Sequence, residues 1–227
     1  MARQLYELVG RDPARRFSPY CWRARMALAH KGLEADCIPW RFTETDRLAF
    51  ARHDKVPVLV DGDTVVVESW GIAEYLDRTY PEAPLLGAAA PHIRLIAAWV
   101  DHTLHGALIR LVVSDIFTML DEPAASYFRA SREARLGARL EAVTADREAR
   151  LPAFRTLLQP LRVALRAGPF LGGARPDYAD YAVFGAFQWA RVVSPLVLVE
   201  DVDPVHPWIE RMLDLYDGLA GAVPARE

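Results

Sequence analysis

Only two cysteines, Cys21 and Cys37, occur in 227 residues, too few for a disulfide framework and in keeping with a reducing compartment. An excess of either charge is also missing: 27 Lys and Arg stand against 30 Asp and Glu, a formal net charge of -3. With no basic field to collect phosphates, nucleic acid is not an expected partner. The most apolar stretch, Ala182–Val199, is interrupted by Gln188, Arg191 and Pro195. It reads as a buried helix and a loop, so no membrane span is expected. The opening Met1-Ala2-Arg3-Gln4 lacks the apolar core of a signal peptide, and a cytoplasmic protein is expected. A Gly-rich phosphate loop, a Gly-x-Ser-x-Gly elbow and a His-Glu-x-x-His motif are absent too. No metal site is expected, because His102 and His105 have no third ligand nearby in sequence.

What is present is an ordinary globular composition, 52% hydrophobic, 25% charged and 10% aromatic, enough to bury a sizeable core. The texture changes near Pro81. Before it, short apolar runs alternate with helical ones: Leu5–Val9 as strand, Tyr20–Lys31 as helix closing on Gly32, and Asp36–Phe42 as a second strand. Val56–Val60 and Thr64–Val67 are β-branched runs around Asp61-Gly62-Asp63, a hairpin signal. Ser69–Tyr80 has apolar residues at helical spacing. Pro81–Pro91 reads as a linker. Beyond it the signals are helical: His92–Leu120, the charged Pro123–Arg150, Pro152–Ala167, Asp177–Arg191 and Val205–Leu219. The fold class is therefore α/β followed by an all-α half.

Three short segments carry candidate chemistry. In Phe17-Ser18-Pro19-Tyr20-Cys21, Ser18 stands at a helix start with Pro19 at the first helical position. It is either a plain N-cap or a hydroxyl offered to an anion at the positive end of the helix. Cys21, one turn in, is read as buried and inert rather than as a thiolate. In Lys55-Val56-Pro57, a proline at a strand start is either a turn or a cis bond aiming the Val56 backbone at a ligand. In Val67-Glu68-Ser69, a strand ends at a second Ser-led helix start, where Ser69 is again either a plain cap or a ligand group. Together these form a cluster of N–H donors suited to carboxylates and a thiolate.

With these spacings, Ser18-Pro19-Tyr20, Val56-Pro57 and Glu68-Ser69 resemble the glutathione transferase family. The longer strings Ala29-His30-Lys31-Gly32, Ser69-Trp70 with Ile72–Asp77, and Leu171-Gly172-Gly173 with Ala179-Asp180-Tyr181 are similar to bacterial β-etherases and fungal etherase-like transferases. The resemblance spans essentially the whole chain. It implies a thioredoxin-like domain over 1–82 (β-α-β-α-β-β-α), a linker over 83–91 and an α-helical bundle over 92–227. It further implies glutathione as cosubstrate, with Ser18 holding its sulfur as thiolate and Val56, before a cis Pro57, pairing with the cysteinyl backbone. Glu68 and Ser69 would take the γ-glutamyl amine and carboxylate, and Lys55, with Arg41 or His53, the glycine carboxylate. Asp177–Asp180 resembles the family's capping box, with Asp in place of the usual Ser or Thr.

The implied reaction is attack of the thiolate on a small hydrophobic electrophile, in detoxification or in β-aryl ether cleavage. The alternatives are a zeta-like isomerase, a thiol-disulfide or deglutathionylating transferase, and a non-catalytic interaction module. A homodimer is implied as well. Over His92–Leu120 the apolar stripe is wider than one bundle face requires. Either the stripe packs against a second subunit, or it lines a pocket; on the pocket reading Tyr20, His105 and Leu108 are predicted to border the hydrophobic-substrate site.

Overall fold

A computed structural model describes residues 3–226. Strand β1 (Gln4–Leu8) is followed by α1 (Pro19–His30), which crosses over to β2 (Asp36–Trp40) lying parallel to β1. Parallel neighbours need such a crossover. A 3-10 turn at Thr45–Ala51 stands where a second helix was expected. The hairpin β3 (Val58–Asp61) and β4 (Thr64–Val67) turns through Gly62 at φ 60°, and α2 (Ser69–Thr79) closes the layer. The sheet order is β2-β1-β3-β4, with β3 antiparallel to both its neighbours. β3 starts two residues later than predicted because Pro57 has no N–H for the ladder. Pro39 is tolerated inside β2 because that strand is an edge.

The rest is helical: α3 (Ala90–Trp99), α4 (His105–Thr118), α5 (Ala124–Leu136), α6 (Leu140–Thr144), α7 (Arg147–Leu157), α8 (Gln159–Ala164), α9 (Tyr178–Val193) and α10 (His206–Gly218). Three expectations need correction. The single helix predicted over His92–Leu120 is divided by a π turn, Val100–Leu104. That turn leaves His102 exposed and His105 buried. The charged segment 123–150 is two helices and the start of a third, interrupted at Gly137, whose φ is 71°. The next helix begins at Arg147, not at Pro152, which lies inside it.

Helix α9 is the core of the molecule: every residue from Tyr178 to Val193 except Arg191 is buried. Its N-terminus has the capping box expected of Asp177 and Asp180. Asp177 accepts from Ala179 N–H at 2.7 Å, and Asp180 reaches back to Asp177 N–H at 3.1 Å. Asp180 also accepts from Leu171 N–H (2.8 Å), Gly172 N–H (3.0 Å) and Trp208 Nε1–H (2.8 Å). One carboxylate thus ties α9 to the preceding loop and to α10. Gly185, midway along α9, lies against the first turn of α1: a Cβ there would sit 2.5 Å from Pro19 O.

The two halves are also joined by polar contacts. Arg23 on α1 pairs with Asp101 of the π turn at 2.6 Å. His30 Nδ1 meets Tyr181 Oη at 2.6 Å, and Tyr181 meets Tyr216 at 2.5 Å. Lys31 pairs with Asp77 at 2.7 Å, and Asp77 accepts from Leu85 and Leu86 N–H, so the connection between the halves is pinned rather than loose.

Two outcomes follow from α9. Gly185→Ala is expected to destabilise the chain by about 1–3 kcal/mol through overpacking against Pro19, read from the urea midpoint. For the cap, burial and the neighbouring Asp180 carboxylate push Asp177 up to about 6. Its folded-state pKa is then above the ordinary value of 3.8, so the native state binds this proton more tightly than the unfolded chain. This contribution to stability is present at pH below about 4 and is lost as pH rises toward 6. Asp177→Asn keeps the oxygen that caps Ala179 but cannot titrate. Denaturation curves from pH 4 to 7 should show the wild type losing stability relative to that variant.

Candidate functional site

Strand register decides which sequence motifs meet. In the hairpin Val58 faces Val67, and β1 pairs Tyr6 with Val58. Continuing each ladder by one residue sets Pro57 level with Glu68 and with Glu7. The C-terminal end of β1, from which the chain runs to Ser18, therefore lies beside Val56-Pro57, which lies beside Glu68-Ser69. β2 runs parallel with Leu8 opposite Trp40, so Arg41 leaves the sheet at the same end. Motifs far apart in sequence thus come together at one end of the sheet.

Ser18 is buried and is the N-cap of α1: its Oγ accepts from Cys21 N–H at 3.3 Å. Accepting that bond leaves the hydroxyl proton free to donate. The cap and donor readings of Ser18 are thus compatible, and the hydroxyl stands at the positive end of a 12-residue helix. Cys21 is fully buried, and burial, with the Glu7 carboxylate, pushes its thiol up to about 12. It stays a thiol at neutral pH.

The Val56–Pro57 peptide is cis. Glu68 is exposed and has φ 66°, ψ 136°, a conformation that non-glycine residues adopt only at a cost of about 1–3 kcal/mol. That backbone turns the chain from β4 into α2 and places buried Ser69 at the first helical position. Glu68 Oε1 lies 3.3 Å from His53 Nε2. Lys55 is exposed. Arg41 is engaged: its N–H donates to Glu44 at 3.0 Å and its guanidinium lies 3.4 Å from the same carboxylate. Burial opposes ionisation of Glu44, but the Arg41 N–H and the Arg47 guanidinium hold it below the ordinary carboxylate value.

Tyr20 lies between this edge and the helical half. Its ring stacks edge-on against His105 at 5.4 Å, under the Arg23 guanidinium at 4.8 Å. Burial pushes its phenol up, with the Asp101 and Glu68 carboxylates adding to the effect. His105 is enclosed between Tyr20 and Trp189. Burial and the Arg23 charge hold its imidazole neutral, with a pKa of about 3. Leu108 is 1% exposed, within the bundle core. Of the three residues predicted to border a hydrophobic site, Tyr20 is the partly open one, and His105 and Leu108 lie in the packed layer.

Sequence reasoning missed the Arg23–Asp101 pair and the left-handed Glu68. Arg23 alone had a signal, a charge among apolar positions of a short helix. No local pattern marks the others.

Comparison with known proteins matches both halves of the chain. The glutathione S-transferase N-terminal domain family matches residues 17–79, and the C-terminal domain family matches 93–202. Glutathione transferase omega-1 of Caenorhabditis elegans is 24% identical over 87% of this chain and 74% of its own length. Glutathione S-transferase Z1 of Arabidopsis thaliana is 45% identical over 69 residues, 28% of this chain and 31% of that protein. Among solved structures, a Ceriporiopsis subvermispora glutathione S-transferase in complex with glutathione superposes with a TM-score of 0.81. It is 21% identical and covers 99% of both chains. With both of its halves matched, the chain belongs to the glutathione S-transferase family.

Proposed function

We propose that the chain is a glutathione-dependent transferase that activates the glutathione thiol at Ser18 for attack on a hydrophobic electrophile. The observation that supports this reading is the register that sets Val56-Pro57 beside Glu68-Ser69 at the end of the sheet from which the chain leaves β1 toward Ser18 and α1. The residues fit the tripeptide. Glu68 supplies a carboxylate for its ammonium, and Ser69 supplies a hydroxyl and a first-turn N–H for the adjacent carboxylate. The Val56 backbone pairs with the cysteinyl unit, and Lys55, with Arg41, supplies charge for the far carboxylate.

A free thiol with a pKa of about 8.5 is mostly protonated at neutral pH. The Ser18 hydroxyl and the dipole of α1 favour the thiolate. Lowering its pKa by one or two units takes about 1.4 kcal/mol each. For a substrate with an aryloxide on the carbon next to a ketone, the sulfur forms the new S–C bond as the C–O bond breaks. The electron pair leaves with the aryloxide. A thiol-disulfide reading is disfavoured because Cys21 is buried as a thiol.

Ser18→Ala is expected to lower turnover by about 10²–10³, the effect of losing one donor to a developing anion, with little change in glutathione affinity. Cys21→Ala should leave turnover intact; the reverse pattern would move the reading to redox chemistry. The assay is a panel containing an α-keto β-aryl ether, a chlorinated arene and a maleyl diketone, with and without glutathione. Turnover of the diketone alone would assign an isomerase instead.

The binding half has its own test. Ser69→Ala should weaken glutathione by about 1–3 kcal/mol in titration calorimetry. Glu68→Gly relieves the left-handed backbone while removing the carboxylate. Its expected signature is weaker binding with folding stability retained or raised. Unchanged affinity in both variants would remove Glu68 and Ser69 from the site.

A further inference from the structure

Between the β1–α1 loop, the C-terminal end of α4 and the C-terminal segment lies a cavity of about 590 Å³, lined by Arg11, Asp12, Arg15, Met119, Ala225 and Arg226 among others. That volume is in the range of small-molecule sites. Three guanidiniums line it against one carboxylate. Two are held in place by the end of α4: Arg11 N–H donates to Met119 O at 2.9 Å and its Nη2 to Leu120 O at 3.1 Å, while Arg226 Nη1 donates to Asp115 O at 3.2 Å. Capping of α4 accounts for these two residues but not for Arg15, whose Nε lies 3.6 Å from the half-exposed Asp12 carboxylate and which caps no helix. The helix end contributes only about half a negative charge. With Asp12 it leaves the wall cationic among the described residues.

The position bears on the reaction. Arg15 is three residues from Ser18, so their Cα atoms are at most about 11 Å apart. An aryl group reaching from the Ser18 hydroxyl toward this wall would have Met119, Pro224 and Ala225 beside its apolar part and guanidiniums at its far end. Guanidinium forks match carboxylates in a two-point geometry. We infer that this cavity selects electrophiles carrying a carboxylate on an otherwise apolar, aromatic body, with Arg15, Arg11 and Arg226 as the specificity-determining residues. The inference rests on the transferase reading for its reaction but not for its binding.

The test uses two substrates that differ by one group: a chlorodinitrobenzene, and the same ring carrying a carboxylate para to the chlorine. In both, thiolate sulfur bonds to the ring carbon and chloride leaves with its electron pair. Arg15→Glu is the first variant, because its side chain is bound only at the surface. It should lower kcat/KM for the carboxylate arene by about tenfold or more, mainly through KM, and change the neutral arene less than twofold. Arg11→Gln should act in the same direction. Equal losses on both arenes, or no loss on either, would overturn the inference. If the wild type turns over neither arene, the transferase reading is judged on the wider substrate panel and the cavity is tested by titration calorimetry with unreactive dinitrobenzoate. Binding that weakens in Arg15→Glu supports the site; absence of binding to the wild type overturns it.

Discussion

The contact between Gly185 and Pro19 sets the geometry on which the rest of the molecule depends. Helix α9 is buried on nearly all sides, and its one glycine facing α1 lets the two backbones approach where a methyl group would collide with Pro19 O. The first turn of α1 thereby has a fixed seat on the helical half. Ser18, which caps that turn, inherits the same fixed position. For the proposed function, a hydroxyl that is to stabilise an anion must have its direction held without reorganisation. The packing of a glycine in one half thus orients a serine in the other. Asp180 secures the opposite end of the arrangement, joining α9, the loop before it and Trp208 of α10 through one buried carboxylate.

Polar contacts between the halves add orientation to this packing. Arg23 is almost wholly buried and meets Asp101 because the π turn interrupts α3 and α4 there. A regular helix through Val100–Leu104 would place Asp101 and His105 differently around its axis. Burial of a charge is costly unless it is paired, so the pair holds the two halves in one relative position more than it adds net stability. On the sheet side, the left-handed backbone at Glu68 is retained against its local cost. Strain of this kind is concentrated at sites whose geometry serves something other than folding.

Much of the fold is legible in sequence because it is encoded locally. The β-branched runs around Asp61-Gly62-Asp63 specify a hairpin, and Asp177 with Asp180 three residues on specifies a helix start; both stand as read. Ser18 marks a helix start for the same reason, whereas at the start of α2 the cap position falls to Glu68 and Ser69 is the first helical residue. The divided helix over His92–Leu120 is not legible, since a π turn has no compositional signature of its own. Nor is the burial of His105, whose direction depends on that turn; an error of one residue rotates a side chain by about 100°.

By itself the sequence determined the strands, the order of the two halves and which side chains offer chemistry: a capping hydroxyl at 18, a carboxylate at 68 and a hydroxyl at 69. These depend on turn chemistry, capping and periodicity, which act within a few residues. Only the tertiary structure decided which of them meet. Strand register set Val56-Pro57 beside Glu68-Ser69, and close packing at Gly185 positioned Ser18. Burial then made Cys21 a spectator and His105 a core residue. The physical reason is that ladder pairing, van der Waals approach and desolvation are properties of neighbours in space, and sequence distance does not specify them.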